Sequence, residues 1–152
     1  RDCLVFHCLY NAFGESGCFI DHNELANIMK VSPKTYGKSK KLFPTYITGY
    51  IPPNINNTPA EYIPIIGKKL GFSEDALVSV NELYEEIRSI ESSIPSKKPR
   101  DFTVGLFWYY IDTNNILFDG KPLSITEFTK LLYCNPTSVN AMKKLIAQIH
   151  ND

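Results

Sequence analysis

Residues 3 to 13 are apolar on nearly every face of a helix, through Leu4, Val5, Phe6, Leu9, Tyr10 and Phe13. That pattern predicts a central helix buried on all sides rather than an amphipathic one. Gly14 and Gly17 should end it and turn the chain. Asp21-His-Asn-Glu24 then has the spacing of a capping box. It opens a short helix whose inner face should be Leu25, Ile28 and Met29. Ser32 is the expected cap of the next helix, with Pro33 in its first position, where the missing N–H costs nothing. This third helix should bury Tyr36, Leu42 and Phe43. Lys34, Lys38 and Lys41 fall at i, i+4 and i+7 on its opposite face.

Residues 51 to 59 carry three prolines and three asparagines and read as an extended linker. A helix over 60 to 70 follows, with Tyr62, Ile65, Ile66 and Leu70 inward. Pro64 is tolerated only in a first turn, and Gly71 is the stop. Ser73-Glu-Asp opens an acidic first turn, favourable to the helix dipole, and the pattern Leu77, Val80, Leu83, Tyr84, Ile87 carries that helix to about Ile90. Residues 92 to 99 read as a loop. Residues 100 to 112 give a second wholly apolar helix (Phe102, Leu106, Phe107, Trp108, Tyr109, Ile111), and 114 to 122 a second loop. Ser124-Ile-Thr-Glu127 repeats the capping box, and Asn135-Pro136 repeats the cap with proline. The last helix should bury Val139, Met142, Leu145, Ile146 and Ile149.

These echoes are a duplication. Glu24 to Leu42 aligns without a gap on Glu127 to Leu145. Pro33 meets Pro136, and Lys40-Lys41-Leu42 meets Lys143-Lys144-Leu145. Arg1-Asp2 and Arg100-Asp101 each open the apolar run upstream, with a few extra residues in the second copy. A period of this length means two copies of a small domain rather than a solenoid. The expected organisation is therefore all-α: residues 1–50 as the last three helices of a first repeat, 51–59 as linker, and 60–150 as a complete five-helix second repeat. Each repeat ends in a helix-turn-helix.

Charge is balanced at a net of zero, which excludes a uniformly basic nucleic-acid binder. Its distribution is uneven, however: residues 30 to 41 hold five lysines and no acid, while 74 to 91 hold five glutamates and an aspartate against one arginine. The four cysteines, Cys3, Cys8, Cys18 and Cys134, lack zinc-ligand spacing and read as buried or partly buried thiols of a reducing compartment. No apolar stretch suits a membrane span, and no signal peptide is visible. The start on Arg-Asp without an initiator Met reads as a fragment of a longer protein.

A helix-turn-helix presents the start of its second helix to the major groove. The Lys34, Lys38, Lys41 face can reach phosphates, although lysines on an exposed helix also serve simply as a solvated surface. The matching positions Thr137, Ala141 and Lys144 are much less basic. Lys97, Lys98 and Arg100 precede the second apolar helix, where they oppose its dipole unless an anion bridges them to its free N–H groups; a charged, flexible loop explains them equally well. Trp108-Tyr109-Tyr110 fits core packing better than base stacking. The Glu82, Glu85, Glu86, Glu91 face reads as acidic docking surface or plain solvated face. Catalysis has little support, since His7, His22 and His150 are scattered, His7 reading as a core histidine, and Glu24 and Glu127 are explained as caps.

Two five-helix repeats around an apolar third helix resemble the cyclin-like core of the transcription factor IIB family. Cys8-Leu9-Tyr10 resembles that family's Cys-Leu-Tyr in the third helix of its first repeat, and Ser32 to Leu42 its Ser-Lys-Lys-Glu-Ile-Gly-Arg-Cys-Phe-Lys-Leu. Ile94-Pro-Ser-Lys-Lys-Pro99 resembles Val-Pro-Gly-Arg-Ser-Pro, and Glu127 to Ile146 aligns with the second-repeat helix-turn-helix. The resemblance implies a non-enzymatic initiation factor whose partners are promoter DNA, the TATA-binding protein and RNA polymerase, with no membrane role. It implies that Lys38 and Lys41 meet phosphates or the acidic edge of the TATA-binding protein. Lys97, Lys98 and Arg100 would hold the DNA backbone, and the stretch Thr137, Ser138, Asn140 to Lys144 would lie in the major groove.

The departures carry their own expectations. Where the family reads bases with Val and Arg, this chain has Thr137 and Asn140, and Asn can read adenine in a bidentate way. The family's zinc ribbon and polymerase-reaching segment have no counterpart in these residues, so no cofactor is expected here, and a zinc ribbon upstream of residue 1 would favour the initiation factor. The Lys-, Asn- and Ile-rich style points to a homologue in a large DNA virus such as an asfarvirus, acting in a cytoplasmic viral factory; a cellular protein would act in the nucleus. The rival is a cyclin-like protein-interaction module that docks a kinase or peptide and ignores DNA.

Overall fold

A computed structural model describes residues 1–16, 20–43 and 58–152. Helix accounts for 76% of them, which makes the class all-α. The chain divides into two compact units, Arg1–Asn56 and Asn57–Asp152. Of the expected linker, residues 51–57 lie outside the described residues, as do Gly17 and Cys18.

The first unit contains α1 (Asp2–Glu15), α2 (His22–Met29) and α3 (Thr35–Leu42). Its core is small: Phe6, Leu25 and Ala26, with Tyr10, Met29, Val31 and Tyr36 packed around them. The Tyr36 ring lies 5.0 Å from Tyr10 and stacks 4.3 Å from His22. The expectation of a helix buried on all sides fails for α1. Phe6 is its buried residue, while Leu4, Val5 and Leu9 are 48%, 43% and 39% exposed. Among the described residues of this unit, the helices that pack on it are α2 and α3. Gly14 does not stop α1, which runs on to Glu15; the Ser16 N–H closes the last turn on the Ala12 carbonyl.

Two further inner faces differ from expectation. In α2 the buried pair is Leu25 and Ala26, and Ile28 is 61% exposed. Pro33 and Lys34 form a turn, so α3 starts at Thr35; the Ser32 hydroxyl accepts from the Lys34 N–H at 3.3 Å. The small residues Thr35 and Ser39, one turn apart, are the ones buried, and Leu42 is 57% exposed. Tyr36 and Phe43 are half-buried.

The second unit contains α4 (Pro59–Leu70), α5 (Glu74–Ile90), α6 (Ser93–Lys97), α7 (Pro99–Thr113), a hairpin of β1 (Leu117–Phe118) and β2 (Lys121–Pro122), α8 (Ile125–Leu132) and α9 (Pro136–Asn151). Here the apolar helix is central: Phe102 through Phe107, Tyr109 and Ile111 of α7 are buried, with α4, α5, α6 and α9 against it. Phe72, between α4 and α5, meets Phe107 edge-on at 5.2 Å, and Tyr84 of α5 meets Phe102 at 6.1 Å.

Local chemistry explains most boundaries. Gly71 ends α4 at φ +73°, a conformation glycine adopts without cost. Ser73 caps α5 by accepting from the Ala76 N–H. Pro59, expected in the linker, is the first residue of α4. Pro64 therefore lies inside the helix rather than in its first turn, and forfeits the bond its N–H would make to the Ala60 carbonyl. The expected loop at 92–99 contains the single turn α6, with Pro95 buried. The expected loop at 114–122 contains the hairpin, which turns at Asp119-Gly120 with φ +51° and +75°. Asp-Gly is the dipeptide such two-residue turns favour.

Candidate nucleic-acid interface

The duplication extends to backbone detail. Asp21 and Ser124 occupy matched positions, and both cap a helix of eight residues. Asp21 Oδ1 accepts from the Asn23 and Glu24 N–H groups at 2.8 and 3.4 Å. Ser124 and Glu127 form a full capping box, with the Glu127 N–H donating to Ser124 Oγ at 3.2 Å and the Ser124 N–H to Glu127 Oε2 at 3.1 Å. Both helices then end on a left-handed residue that is not glycine, Lys30 at φ +55° and Tyr133 at φ +52°. The same closing bond follows, Val31 N–H to Ala26 carbonyl and Cys134 N–H to Thr129 carbonyl, each 3.0 Å. This is the Schellman ending. It turns each chain into its next helix at the same point.

That next helix presents one outward face per unit. On α9, Val139 and Ile146 are buried and Thr137, Asn140, Ala141 and Lys144 are exposed. Ser138, also exposed, gives its N–H to Asn135 Oδ1 at 3.4 Å, as Thr137 does at 2.8 Å. At the matched positions of the first unit stand Lys34, Gly37, Lys38 and Lys41, all exposed. Lys40 turns aside, its Nζ 4.9 Å over the Tyr36 ring. One face thus offers charge and the other hydrogen-bonding side chains with a single cation, Lys144. Met142, Leu145 and Ile149 are half-buried beneath it.

Asn140 is not a loose surface amide. Its Oδ1 accepts a hydrogen bond from Trp108 Nε1 of α7 at 3.2 Å. Trp108 lies half-buried with its ring 4.8 Å from Phe128 of α8, so it braces both helices of the turn. Lys143 pairs with Asp112 at 2.8 Å beside it. Tyr109 is core, its hydroxyl 2.8 Å from His150 Nδ1; Tyr110 is half-buried. The approach of α9 to α7 depends on Gly105, where a Cβ would stand 2.7 Å from Met142 Cβ.

Lys97 and Lys98 are exposed at the entry to α7. Arg100 is half-buried, and its Nη2 donates to the Leu132 carbonyl at 2.8 Å, one residue before the left-handed Tyr133. A cation there also suits the negative end of the α8 dipole. Arg100 therefore joins the 97–100 basic run to the second turn. Lys69, at the end of α4, places its Nζ 5.7 Å over the Tyr133 ring and adds a cation the sequence did not mark. Trp108 and Lys69 each reach residues far away in the chain, with no local signal.

The remaining candidates take structural roles. His7 is half-buried, 5.5 Å from the Phe43 ring. Cys8 is exposed, contrary to expectation, as are Leu4, Val5 and Leu9 of the same helix; Cys3 and Cys134 are half-buried. On α5, Glu85 pairs with Arg88 at 2.9 Å and Glu86 with His150 at 3.4 Å. Hydrogen bonds from Ser93, first from its hydroxyl and then from its N–H, hold the Glu91 carboxyl below its usual range. Among the described residues no cluster of His, Cys, Asp and Glu could hold a metal ion, and no helix is long and apolar enough to cross a membrane. No protein-family model, curated protein or solved structure matches this chain.

Proposed function

We propose that this chain is the cyclin-like part of a transcription initiation factor of the transcription factor IIB type, non-enzymatic and acting on duplex DNA. The observation that carries this reading is the pair of matched helix-turn-helix elements, identical in cap position, helix length and left-handed turn, each with an outward second helix. The central placement of α7 among α4, α5 and α9 is what a cyclin-like repeat requires. In this reading Lys34, Lys38 and Lys41 neutralise phosphates, Lys97 and Lys98 hold the backbone beside the second turn, and Thr137, Asn140 and Lys144 face base edges. The first set contributes affinity without sequence preference, and the second contributes preference.

The test is a footprint on promoter DNA with and without the TATA-binding protein. Protection on both sides of the TATA element that needs both proteins is the expected result. No protection in either case, at low salt, refutes it.

A second reading is a cyclin-like protein-docking module without DNA contact. The exposed Leu4, Val5 and Leu9 of α1 favour it, because an apolar helix face suits a protein partner. Retention of a kinase or peptide with no retention of duplex at low salt would select it.

A further inference from the structure

We infer that Trp108 is a positioning residue for base reading: by holding Asn140 Oδ1 it turns the Asn140 amide NH2 outward, so that α9 prefers guanine over adenine at the base it meets. The inference rests on the DNA-binding reading above and deepens it.

The indole Nε1–H is a donor and never an acceptor. The Asn140 atom 3.2 Å from it must therefore be the carbonyl oxygen, which fixes the orientation of an amide that could otherwise present either end. Trp108 is itself held, its ring 4.8 Å from Phe128, which is fully buried. Asn140 is exposed at the fifth position of α9, in line with Thr137, Ala141 and Lys144.

Bidentate reading of adenine needs the amide to accept from N6 and donate to N7 at once. Trp108 holds the oxygen toward α7, so the end of the amide that Asn140 turns outward is the NH2 with its two N–H donors. The guanine edge, with acceptors at both O6 and N7, matches two donors. The first unit supplies an internal comparison. In the register that pairs Arg1-Asp2 with Arg100-Asp101, Leu9 stands where Trp108 stands, and in the helix-turn-helix register Gly37 stands where Asn140 stands. Leucine has no N–H to give and glycine no amide to hold. The donor and the amide it orients are present together in one copy and absent together from the other, where the face is lysine.

The test is selection from a random duplex library by the full chain at low salt, followed by titration of matched duplexes that differ at one base pair. The parent protein is expected to enrich guanine at one position and to bind it about tenfold more tightly than adenine there. Trp108→Phe keeps the ring against Phe128 and removes the donor; it should erase that preference while leaving the salt dependence of affinity unchanged. Asn140→Asp keeps an acceptor for Trp108 and removes both donors; it should move the preference to cytosine, whose N4 donates. Adenine enriched by the parent, or a guanine preference that survives both substitutions, overturns the inference alone. No duplex retained at low salt overturns the DNA-binding reading and the inference with it.

Discussion

Gly105 sits in the middle of α7, where alanine would be favoured by about 1 kcal/mol on helix propensity alone. A Cβ at this position would overlap Met142 Cγ and stand 2.7 Å from Met142 Cβ and 3.4 Å from the Met142 carbonyl carbon. The Met142 thioether can swing aside, but its Cβ moves only with α9. Restoring an ordinary 3.4 Å contact from 2.7 Å separates the two helices locally by about 0.7 Å. Overpacking of this kind costs about 1–3 kcal/mol. Set against the propensity gain, Gly105→Ala should destabilise the second unit by about 1 kcal/mol, or about 4–8 °C in Tm for a domain of this size. The same displacement would stretch the 3.2 Å bond from Trp108 Nε1 to Asn140 beyond hydrogen-bonding range.

Thermal unfolding followed by circular dichroism and by the fluorescence of Trp108, the single tryptophan, measures both effects. Gly67→Ala is the internal control. Its Cβ would overlap Cδ2 of Leu77, the free end of a flexible side chain, and stand 3.2 Å from its Cγ, with no backbone atom in the way, so a turn of that half-buried side chain relieves it and the substitution should be the milder of the two. A Gly105→Ala protein as stable as the parent, or a Gly67→Ala protein that is the more damaged of the two, would refute the reading of Gly105 as the seat of close helix approach.

Combined Lys38→Glu and Lys41→Glu should weaken duplex binding and lower the slope of log affinity against log salt by about two, at about 0.9 for each phosphate no longer neutralised; an unchanged slope counts against phosphate binding by α3. Ser124→Ala removes the hydroxyl that accepts from the Glu127 N–H, while the bond from the Ser124 N–H to Glu127 Oε2 remains, and should cost about 1 kcal/mol in urea denaturation, whereas an unchanged midpoint would mean that the hydroxyl bond does not hold the start of α8. Ser93→Ala should return the Glu91 titration toward its ordinary range, read by NMR. Because the folded value is lowered, the contribution of Glu91 to stability is present above its unfolded pKa and fades as pH falls through the folded one. The variant should lose the hydroxyl's share of that acid-side dependence, the larger of the two, while the Ser93 N–H bond remains, and an unmoved Glu91 midpoint would refute the assignment.

What was legible in the sequence was local chemistry. Ser73, Ser124 and Asn135 act within three residues of themselves, and Gly71 stops α4 through its own backbone, so type and spacing sufficed. The Asp119-Gly120 turn had an equally local signal that a loop reading passed over. Apolar pattern, by contrast, states that a helix seeks cover without stating what covers it. The runs in α1 and α7 look alike, yet among the described residues α7 has four helices packed on it and α1 has two. Ile28 and Leu42 fail for the same reason. Pro64 was misplaced because a helix that begins on Pro59 moves the later proline into the interior. The bonds from Arg100 to Leu132 and from Trp108 to Asn140 each span 32 residues, and no periodicity reports them.

The two copies have diverged in what they present while keeping how they present it. A left-handed Lys30 and a left-handed Tyr133 both carry strain that glycine would relieve, so the turn they make is held by the surrounding geometry and not by residue preference. A scaffold fixed in this way lets the outward face change without moving. On α3 the change runs to lysines, whose attraction for a polyanion falls with salt and tolerates small errors in position. On α9 it runs to Thr137 and Asn140, whose hydrogen bonds are broken by a displacement of under about 1 Å. Only the second face therefore needs bracing. The bracing is found there and is drawn from three residues of α7: Trp108 holds Asn140, Gly105 admits α9 close to α7, and Arg100 fastens the end of α8.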